Sequence, residues 1–169
     1  MNWLEVCEDK RLQNLPYKIE LNRWGKIEMS PHRREHSLFQ GEMAYLLRNL
    51  LPNGLALSEC AIETTENVKV ADVAWASRQR WESMADRVSC SVAPEICVEI
   101  LSAANTPEEM DRKKELYFQA GAVESWLCDE SGHVRFFNQG GELVGSRVTS
   151  GRPPARSENA AAVLRGRRR

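Results

Sequence analysis

Residues 95–101, with the sequence EICVEIL, form a nearly continuous apolar run that Glu99 interrupts. A short apolar run of this kind is typical of a strand that is buried on both of its faces. Strands of that type lie in the middle of sheets that helices cover on both sides. The run therefore predicts an α/β (α+β) fold in which 95–101 is the central strand.

Patterns elsewhere in the chain predict the elements around this strand. Alternating and apolar segments predict a hairpin at 17–30, a second hairpin made of 55–63 and 67–76, and strands at 123–129, at 133–137 and after Gly140. Apolar residues at three- and four-residue steps predict helices at 33–51, 77–87 and 108–120. In the second of these helices we expect Trp81, Met84 and Ala85 to face inward. The order of elements indicates a mixed sheet flanked by helices.

The segment Thr106-Pro107-Glu108-Glu109 has the form of a capping box with proline at the first helical position. It predicts where the last helix begins, and Gly121 predicts where it ends.

The length of 169 residues is that of one ordinary domain, which we assign to residues 1–148. From residue 149 onward the composition changes to glycine, proline, serine, alanine and arginine, without an apolar period. This change predicts a disordered basic tail over 149–169.

The charge and cysteine content restrict the class of protein. A formal net charge of −1 provides no overall attraction to nucleic acid, so binding would need a local basic surface or metal ions. The 5 cysteines are scattered without the paired spacings of a zinc site or a disulfide framework, which predicts reduced thiols. No apolar run reaches membrane-spanning length, and the first residues are acidic where a secretory signal is basic. We therefore expect a cytoplasmic protein that does not bind membranes.

Asp72 and Glu99 are carboxylates inside segments that are otherwise suited to burial. A buried carboxylate without a partner takes up a proton or binds a cation. The pair therefore predicts either a metal site or a structural salt-bridge network, and the pattern alone leaves both open. Because like charges repel, neutralising either acid is expected to preserve or raise the stability of the protein without metal.

Lys113 lies near the centre of the inward face that Met110, Leu116 and Tyr117 define on the predicted helix, whereas Lys114 lies on its flank. Two acids and a lysine at one end of a sheet suit metal-assisted phosphodiester hydrolysis. The acids hold the ion, and the ammonium orients water or offsets developing charge. The alternative is that Lys113 extends past the core to solvent.

Four stretches, MSPHRREHSLFQ, VKVADVAW, PEICVEILS and KKELYFQAGAVESWLCDESG, lie in this order between Met29 and Phe137. Together they resemble the Uma-type restriction endonuclease family of the PD-(D/E)XK nuclease superfamily. The resemblance implies a restriction-endonuclease-like core, which is a mixed four-stranded sheet flanked by helices. It also implies that Asp72 and Glu99 are the acids of the site and that they bind Mg²⁺ or Mn²⁺.

The usual lysine of the superfamily, two residues after the second acid, is replaced here by Leu101. The resemblance implies that the lysine has moved to the following helix, where Lys113 matches. It also places the first long helix beside the site, which makes His36 and Gln40 candidate contacts of the metal shell or the substrate. A local hydrogen bond at the helix start is the alternative for His36. Glu42 is a further candidate, as an auxiliary carboxylate.

The leading hypothesis is a Mg²⁺-dependent endonuclease that hydrolyses phosphodiester bonds in DNA, with Asp72, Glu99 and Lys113 as its catalytic residues. A homodimer would suit this activity, because cutting two strands needs two sites. The main alternative is a catalytically inactive nuclease-fold module that binds nucleic acid or protein. The third reading is an α/β domain in which these residues form a structural ion cluster, so that neutralising all of them together costs little stability.

Overall fold

The computed structural model describes residues 1–31, 33–84 and 87–149. Its elements in chain order are α1 (Trp3–Glu8), β1 (Tyr17–Leu21), β2 (Ile27–Pro31), α2 (Arg34–Leu50), β3 (Gly54–Thr64), β4 (Asn67–Ser77), α3 (Arg78–Glu82), β5 (Ile96–Ile100), α4 (Pro107–Gln119), β6 (Glu124–Cys128), β7 (Val134–Asn138) and β8 (Gly141–Leu143). The predicted α/β class is confirmed. Of the predicted tail 149–169, Thr149 is buried, and residues 150–169 lie outside the described part of the chain.

The main sheet has six strands in the order β3-β4-β5-β6-β7-β8. Strands β5 and β6 are parallel, and the other neighbours are antiparallel. The sheet is larger than the four-stranded core that the resemblance implies, because β7 and β8 continue it beyond β6. The hairpin of β1 and β2 forms a separate two-stranded sheet, as the alternation at 17–30 predicted.

Strand β5 lies inside the sheet, and every one of its residues is buried. Because side chains alternate along a strand, Ile96, Val98 and Ile100 share one face, and Cys97 and Glu99 share the other. The first face packs in an apolar cluster with residues of α2 that include Phe39, Met43 and Leu47. The predicted central strand is therefore confirmed, and Glu99 lies on the face opposite to α2.

Helix α4 begins where the sequence predicted, with one of the two hydrogen bonds of the predicted capping box among the described contacts. The side chain of its N-cap, Thr106, accepts a hydrogen bond from the N–H of Glu109 at 3.1 Å. After the helix, Gly121 has a φ of +104°, a conformation that glycine adopts without strain. These ends fix the length of α4 and hence which of its residues face the sheet.

Two details differ from the sequence prediction. Helix α1 was not predicted, although its N-cap Asn2 and Glu5 form a capping box with two hydrogen bonds of 2.9 Å. Trp81 is 44% exposed, so its predicted inward orientation is wrong, because α3 is too short to bury it together with Met84. Met84 is buried as predicted, and Ala85 lies outside the described residues.

Within the part of the chain that the structure describes, no helix is both long enough and apolar enough to cross a membrane.

Candidate functional site

Asp72 and Glu99 lie side by side where the ladder between β4 and β5 ends. The last paired residues are Val73 and Val98, so the two acids are the next positions on their strands. Beyond this point a side chain takes the place of the backbone acceptor, because the N–H of Ile100 donates to Asp72 Oδ2 at 2.7 Å. Asp72 is 1% exposed and Glu99 is 3% exposed. The structure thus brings together the two acids that the sequence singled out.

An interruption of the pairing between β3 and β4 lies at Asp72. Glu59 and Asp72 are both left out of the pairing, although the register is the same on either side of them, and Glu59 has a φ of 52°, in the left-handed region. Here Gln40 Nε2 donates to Glu59 Oε1 at 2.6 Å and to the carbonyl oxygen of Asp72 at 2.8 Å. Gln40 therefore links the side chain of Glu59 to the backbone at Asp72.

Lys113 lies on the buried face of α4, as the helical phase predicted, and is 7% exposed. Its Nζ donates to Glu20 Oε1 at 2.9 Å and to Glu99 Oε2 at 3.4 Å. The alternative in which Lys113 extends past the core to solvent is wrong. Lys114 instead pairs with Asp111 at 2.8 Å, on the flank of the helix.

Tyr117, one turn after Lys113, donates its hydroxyl to Glu99 Oε1. The sequence analysis used Tyr117 only to define the inward face of the helix. Its spacing of four residues from Lys113 places both side chains on one face, which was a signal for a shared role. Together they attach α4 to Glu99.

Lys18 and Glu20 were missed by the sequence analysis. Lys18 Nζ lies 2.6 Å from Asp72 Oδ1 and 3.2 Å from Glu99 Oε2, and Glu20 Oε1 accepts the N–H of Val70 at 2.8 Å. Both residues are buried on β1, whereas Ile19 between them is partly exposed. Alternation predicts that the polar residues of a strand face solvent, and Lys18 and Glu20 depart from this rule. To predict these two residues, one would have had to know that the charged face of β1 is turned inward, and the sequence of the strand does not show this.

Opposing effects set the pKa values of the two acids. Burial acts to raise the pKa of Asp72, but the Lys18 ammonium and His36 lower it below the ordinary range. For Glu99 burial prevails and raises the pKa, although Lys113 and Lys18 act in the opposite direction. In the folded protein Asp72 is therefore the stronger acid of the pair and Glu99 the weaker one.

The two lysines remain charged. Burial acts to lower the pKa of Lys18 and of Lys113, but the neighbouring carboxylates raise both above the ordinary lysine value. Each is therefore an ammonium at neutral pH and donates hydrogen bonds rather than accepting a proton.

His36 and Gln40 lie beside the acids, as the resemblance implied. His36 Nε2 lies 3.1 Å from Asp72 Oδ2, and this hydrogen bond raises the pKa of His36 in spite of partial burial. Glu42 is half-buried, and within the described residues it makes no hydrogen bond or ion pair with the acids or the lysines. It lies two positions beyond Gln40, a spacing that does not share a face of a helix.

A cavity of about 280 Å³ opens beside these residues. Its lining includes Lys18, His36, Asp72, Glu99 and Lys113. The volume is close to the lower end of the range for small-ligand pockets. The charged groups therefore have access to solvent and to a bound ligand in spite of their burial.

The two acids are suited to a magnesium-like ion. Asp72 Oδ1 and Glu99 Oε2 converge on a single cation, which here is the Lys18 ammonium. Mg²⁺ in proteins is often held by only one or two carboxylates and keeps several waters. Among the described residues no group of three or more His, Cys, Asp and Glu side chains could hold a metal ion. Two carboxylates therefore fit such an ion only where water supplies its other ligands.

Three comparisons with known proteins bear on the site. The sequence matches the model of the Uma2 family, "Putative restriction endonuclease", over residues 6–164. The structure is similar to a "putative nuclease belonging to DUF820 from Anabaena variabilis ATCC 29413", with a TM-score of 0.65 and 18% identity over 83% of this chain and 88% of that chain. At this identity the structural likeness shows a shared fold. None of the curated proteins matches the chain.

Proposed function

We propose that this chain, which belongs to the Uma2 family, is a Mg²⁺- or Mn²⁺-dependent endonuclease that hydrolyses phosphodiester bonds in DNA. The observation that supports this function best is the convergence of Asp72, Glu99 and Lys113 on one cavity. Buried charged groups are costly unless they are paired, and those that line a cavity are candidates for a function.

Asp72 and Glu99 would hold the ion. Each has one oxygen that is fixed and one that faces the shared cation. Asp72 Oδ2 is held by the N–H of Ile100 and by His36, which leaves Oδ1, and Glu99 Oε1 is held by Tyr117, which leaves Oε2. When bound, the ion supplies positive charge against the phosphate oxygens and makes water in the site more acidic.

Lys113 would act as a cation rather than as a base, because its pKa is raised. A fixed ammonium near a phosphate offsets the negative charge that develops during attack by water. The hydrogen bond from Lys113 to Glu20, at 2.9 Å, keeps the ammonium in position for this role.

The family description supports DNA as the substrate. The proposed location is the cytoplasm, since all of the cysteines are free. We propose that residues 1–148 are one nuclease domain. We also propose a homodimer for cleavage of both strands, and sedimentation of the purified protein would test it.

A second candidate function is a catalytically inactive nuclease-fold module that binds nucleic acid or protein. One observation favours it, namely that Lys18 lies between the two acids at the position of a cation. In that case the ion pairs are structural, and the cavity is a remnant of an active site.

Calorimetric titration with Mg²⁺ and with Mn²⁺, combined with cleavage of plasmid DNA, separates the two functions. The wild-type protein should bind the ion and cut DNA. Asp72→Asn should do neither, because an amide oxygen carries no full charge. The matched control is Asp111→Asn, an exposed acid that pairs with Lys114 outside the site and should leave both properties unchanged.

Absence of metal binding by the wild-type protein would contradict the endonuclease and favour the inactive module. Binding that Asp72→Asn leaves intact would place the metal elsewhere. Circular dichroism of each variant would establish that it is folded at the temperature of the titration.

A further inference from the structure

The ammonium of Lys18 lies nearer to the two acids, taken together, than any other cationic group described. Its Nζ is 2.6 Å from Asp72 Oδ1 and 3.2 Å from Glu99 Oε2, and a third carboxylate, Glu20, is 3.9 Å away. Asp72 Oδ1 is the oxygen that Ile100 and His36 leave available. Glu99 Oε2, which Tyr117 leaves available, is shared with Lys113 at 3.4 Å. Lys18 therefore uses the same oxygens that the proposed metal ion would use.

The position of Lys18 is set by the fold. Its strand β1 belongs to the separate two-stranded sheet, and Glu20 joins that strand to β4 through the N–H of Val70. Lys18 and Glu20 alternate onto the same inward face of β1. Ordering a lysine side chain costs conformational entropy, and burying its charge costs more. The ammonium offsets these costs because it lies between two carboxylates that would otherwise repel each other.

We propose that Lys18 is a positioning residue that takes the place of the divalent ion in the metal-free protein and leaves when the ion binds. This inference rests on the proposed function, since it assumes that Asp72 and Glu99 are the ligands. The ammonium keeps the two carboxylates converged in the absence of metal. The ion needs the space and the lone pairs that the ammonium now uses, so the two cations exclude each other.

The charge of the cluster supports an exchange rather than an addition. Apart from His36, the cluster contains the carboxylates of Glu20, Asp72 and Glu99 and the ammonium groups of Lys18 and Lys113. With all three carboxylates ionised and His36 neutral, it has one negative charge in excess. Adding a divalent ion while both lysines stay would leave an excess positive charge in a buried place. Replacing Lys18 by the ion leaves no excess charge.

The cavity gives the side chain of Lys18 a place to go. Lys18 lines this cavity, and a lysine head on its flexible four-carbon stem can swing into solvent without a change of the backbone. Lys113 differs, because it reaches only one of the two acids and is also held by Glu20 at 2.9 Å. The exchange should therefore move Lys18 and leave Lys113 in place.

Calorimetric titration of the wild-type protein and of Lys18→Met with Mn²⁺ tests the proposal. Lys18→Met removes the competing charge and should bind Mn²⁺ about tenfold or more tightly than the wild type. The matched control is Lys69→Met, which removes a buried lysine that pairs with Glu28 at 3.4 Å outside the cluster. This control should bind Mn²⁺ as the wild type does.

The outcomes separate this inference from the proposed function. Equal or weaker binding by Lys18→Met, with binding by the wild type, would overturn the role of Lys18 and leave the metal site standing. Binding by Lys18→Met alone would support the exclusion and contradict a metal-dependent wild-type enzyme. Binding by neither protein would overturn both proposals.

A second measurement needs no variant and decides the question if Lys18→Met fails to fold. The wild-type protein is acetylated with a water-soluble amine reagent, with and without Mn²⁺, and each lysine is followed by mass spectrometry. Labelling of Lys18 should rise severalfold when Mn²⁺ is bound, whereas labelling of Lys113 and Lys69 should not change. Bound Mn²⁺ without a rise at Lys18 would overturn the proposal.

Discussion

The two faces of strand β5 are equally buried but differ in chemistry. On one face Ile96, Val98 and Ile100 are 0–3% exposed and pack in an apolar cluster with α2. On the other face Glu99, at 3% exposed, lies among lysines, acids and Tyr117. Apolar burial has no preferred direction and scales with area, whereas a buried ion depends on each of its partners. On the apolar face, stability should therefore depend on the side-chain volume that is removed. On the charged face, it should depend on whether a charged partner is removed.

The largest effect on stability is expected on the charged face. Asp72→Asn, next to Glu99, removes the carboxylate nearest to Lys18, and the lowered pKa of Asp72 shows that the fold favours its charged form, so the variant should lower the free energy of unfolding by about 3–5 kcal/mol. For Asp72 this prediction differs from the expectation from the sequence that neutralising an acid preserves stability, because the charge nearest to Asp72 is the Lys18 ammonium. Urea denaturation would measure the loss.

Two variants sharpen this prediction. Combining Asp72→Asn with Lys18→Met should recover part of the loss, because one unpaired charge is removed as well. Glu28→Gln breaks an ion pair whose acid is 52% exposed and should cost less than about 1 kcal/mol. Equal losses for the buried and the exposed acid would contradict the comparison.

On the apolar face we expect a comparable loss of stability but no loss of cleavage activity. Met43 is fully buried on α2, so Met43→Ala should cost about 2–5 kcal/mol through lost contacts and a cavity. Cleavage per folded molecule should not change. Tyr45→Ala, on the exposed side of the same helix, should change stability by less than about 0.5 kcal/mol. A fall in turnover of folded Met43→Ala would show that the faces are coupled.

The lysines of α4 provide a kinetic form of the comparison. Lys113→Ala should reduce single-turnover cleavage by about 10²-fold or more, which is about 2.7 kcal/mol, and should largely retain metal affinity. Lys114 pairs with Asp111 and lies over the ring of Phe137, so Lys114→Ala should be near neutral. The reverse ranking would show that the role proposed for Lys113 is that of Lys114.

A smaller effect concerns the pH dependence of stability. Asp72 raises the pKa of His36 in the folded protein, so the protonated form stabilises the fold. This contribution, about 1 kcal/mol, is fully present below the unfolded pKa and disappears as the pH rises through the higher folded pKa. The melting temperature of the wild type should therefore exceed that of His36→Gln in mild acid, and the difference should vanish in base. A difference that grows with pH would contradict the sign.

The smallest effect is expected at the end of the chain. Ending the chain at Ser150 should change the free energy of unfolding by less than about 0.5 kcal/mol, because the sequence beyond it has no periodic apolar pattern. The preceding segment is tied to the sheet by Glu124, which accepts the N–H of Arg147 at 2.7 Å. A large fall in melting temperature would show that the terminal residues pack. Weaker DNA binding with a flatter salt dependence would instead assign the terminal arginines to phosphate contacts.

The sequence predicted most of the elements because their signals are local. The apolar period of α2, the cap at Thr106 and the apolar run of β5 each lie within a few turns or one strand. Where a local signal was weak, the prediction was incomplete. The capping box of α1 precedes only a short helix, and the inward orientation of Trp81 assumed a longer α3 than the structure has.

The sequence by itself identified the two acids and the lysine of α4 as charged residues on buried faces, because a charge inside an apolar pattern is visible without a structure. Only the tertiary structure decided which cations those acids meet. Lys18 is separated from Asp72 by 54 residues, and Glu20 from Lys113 by 93 residues. Nothing local in β1 distinguishes its lysine from a solvated one, because Lys18 and Glu20 occupy the polar positions of an alternating strand. The physical reason is that the desolvation and pairing of a charge depend on every element packed around it, whereas helix and strand formation depend mainly on near neighbours.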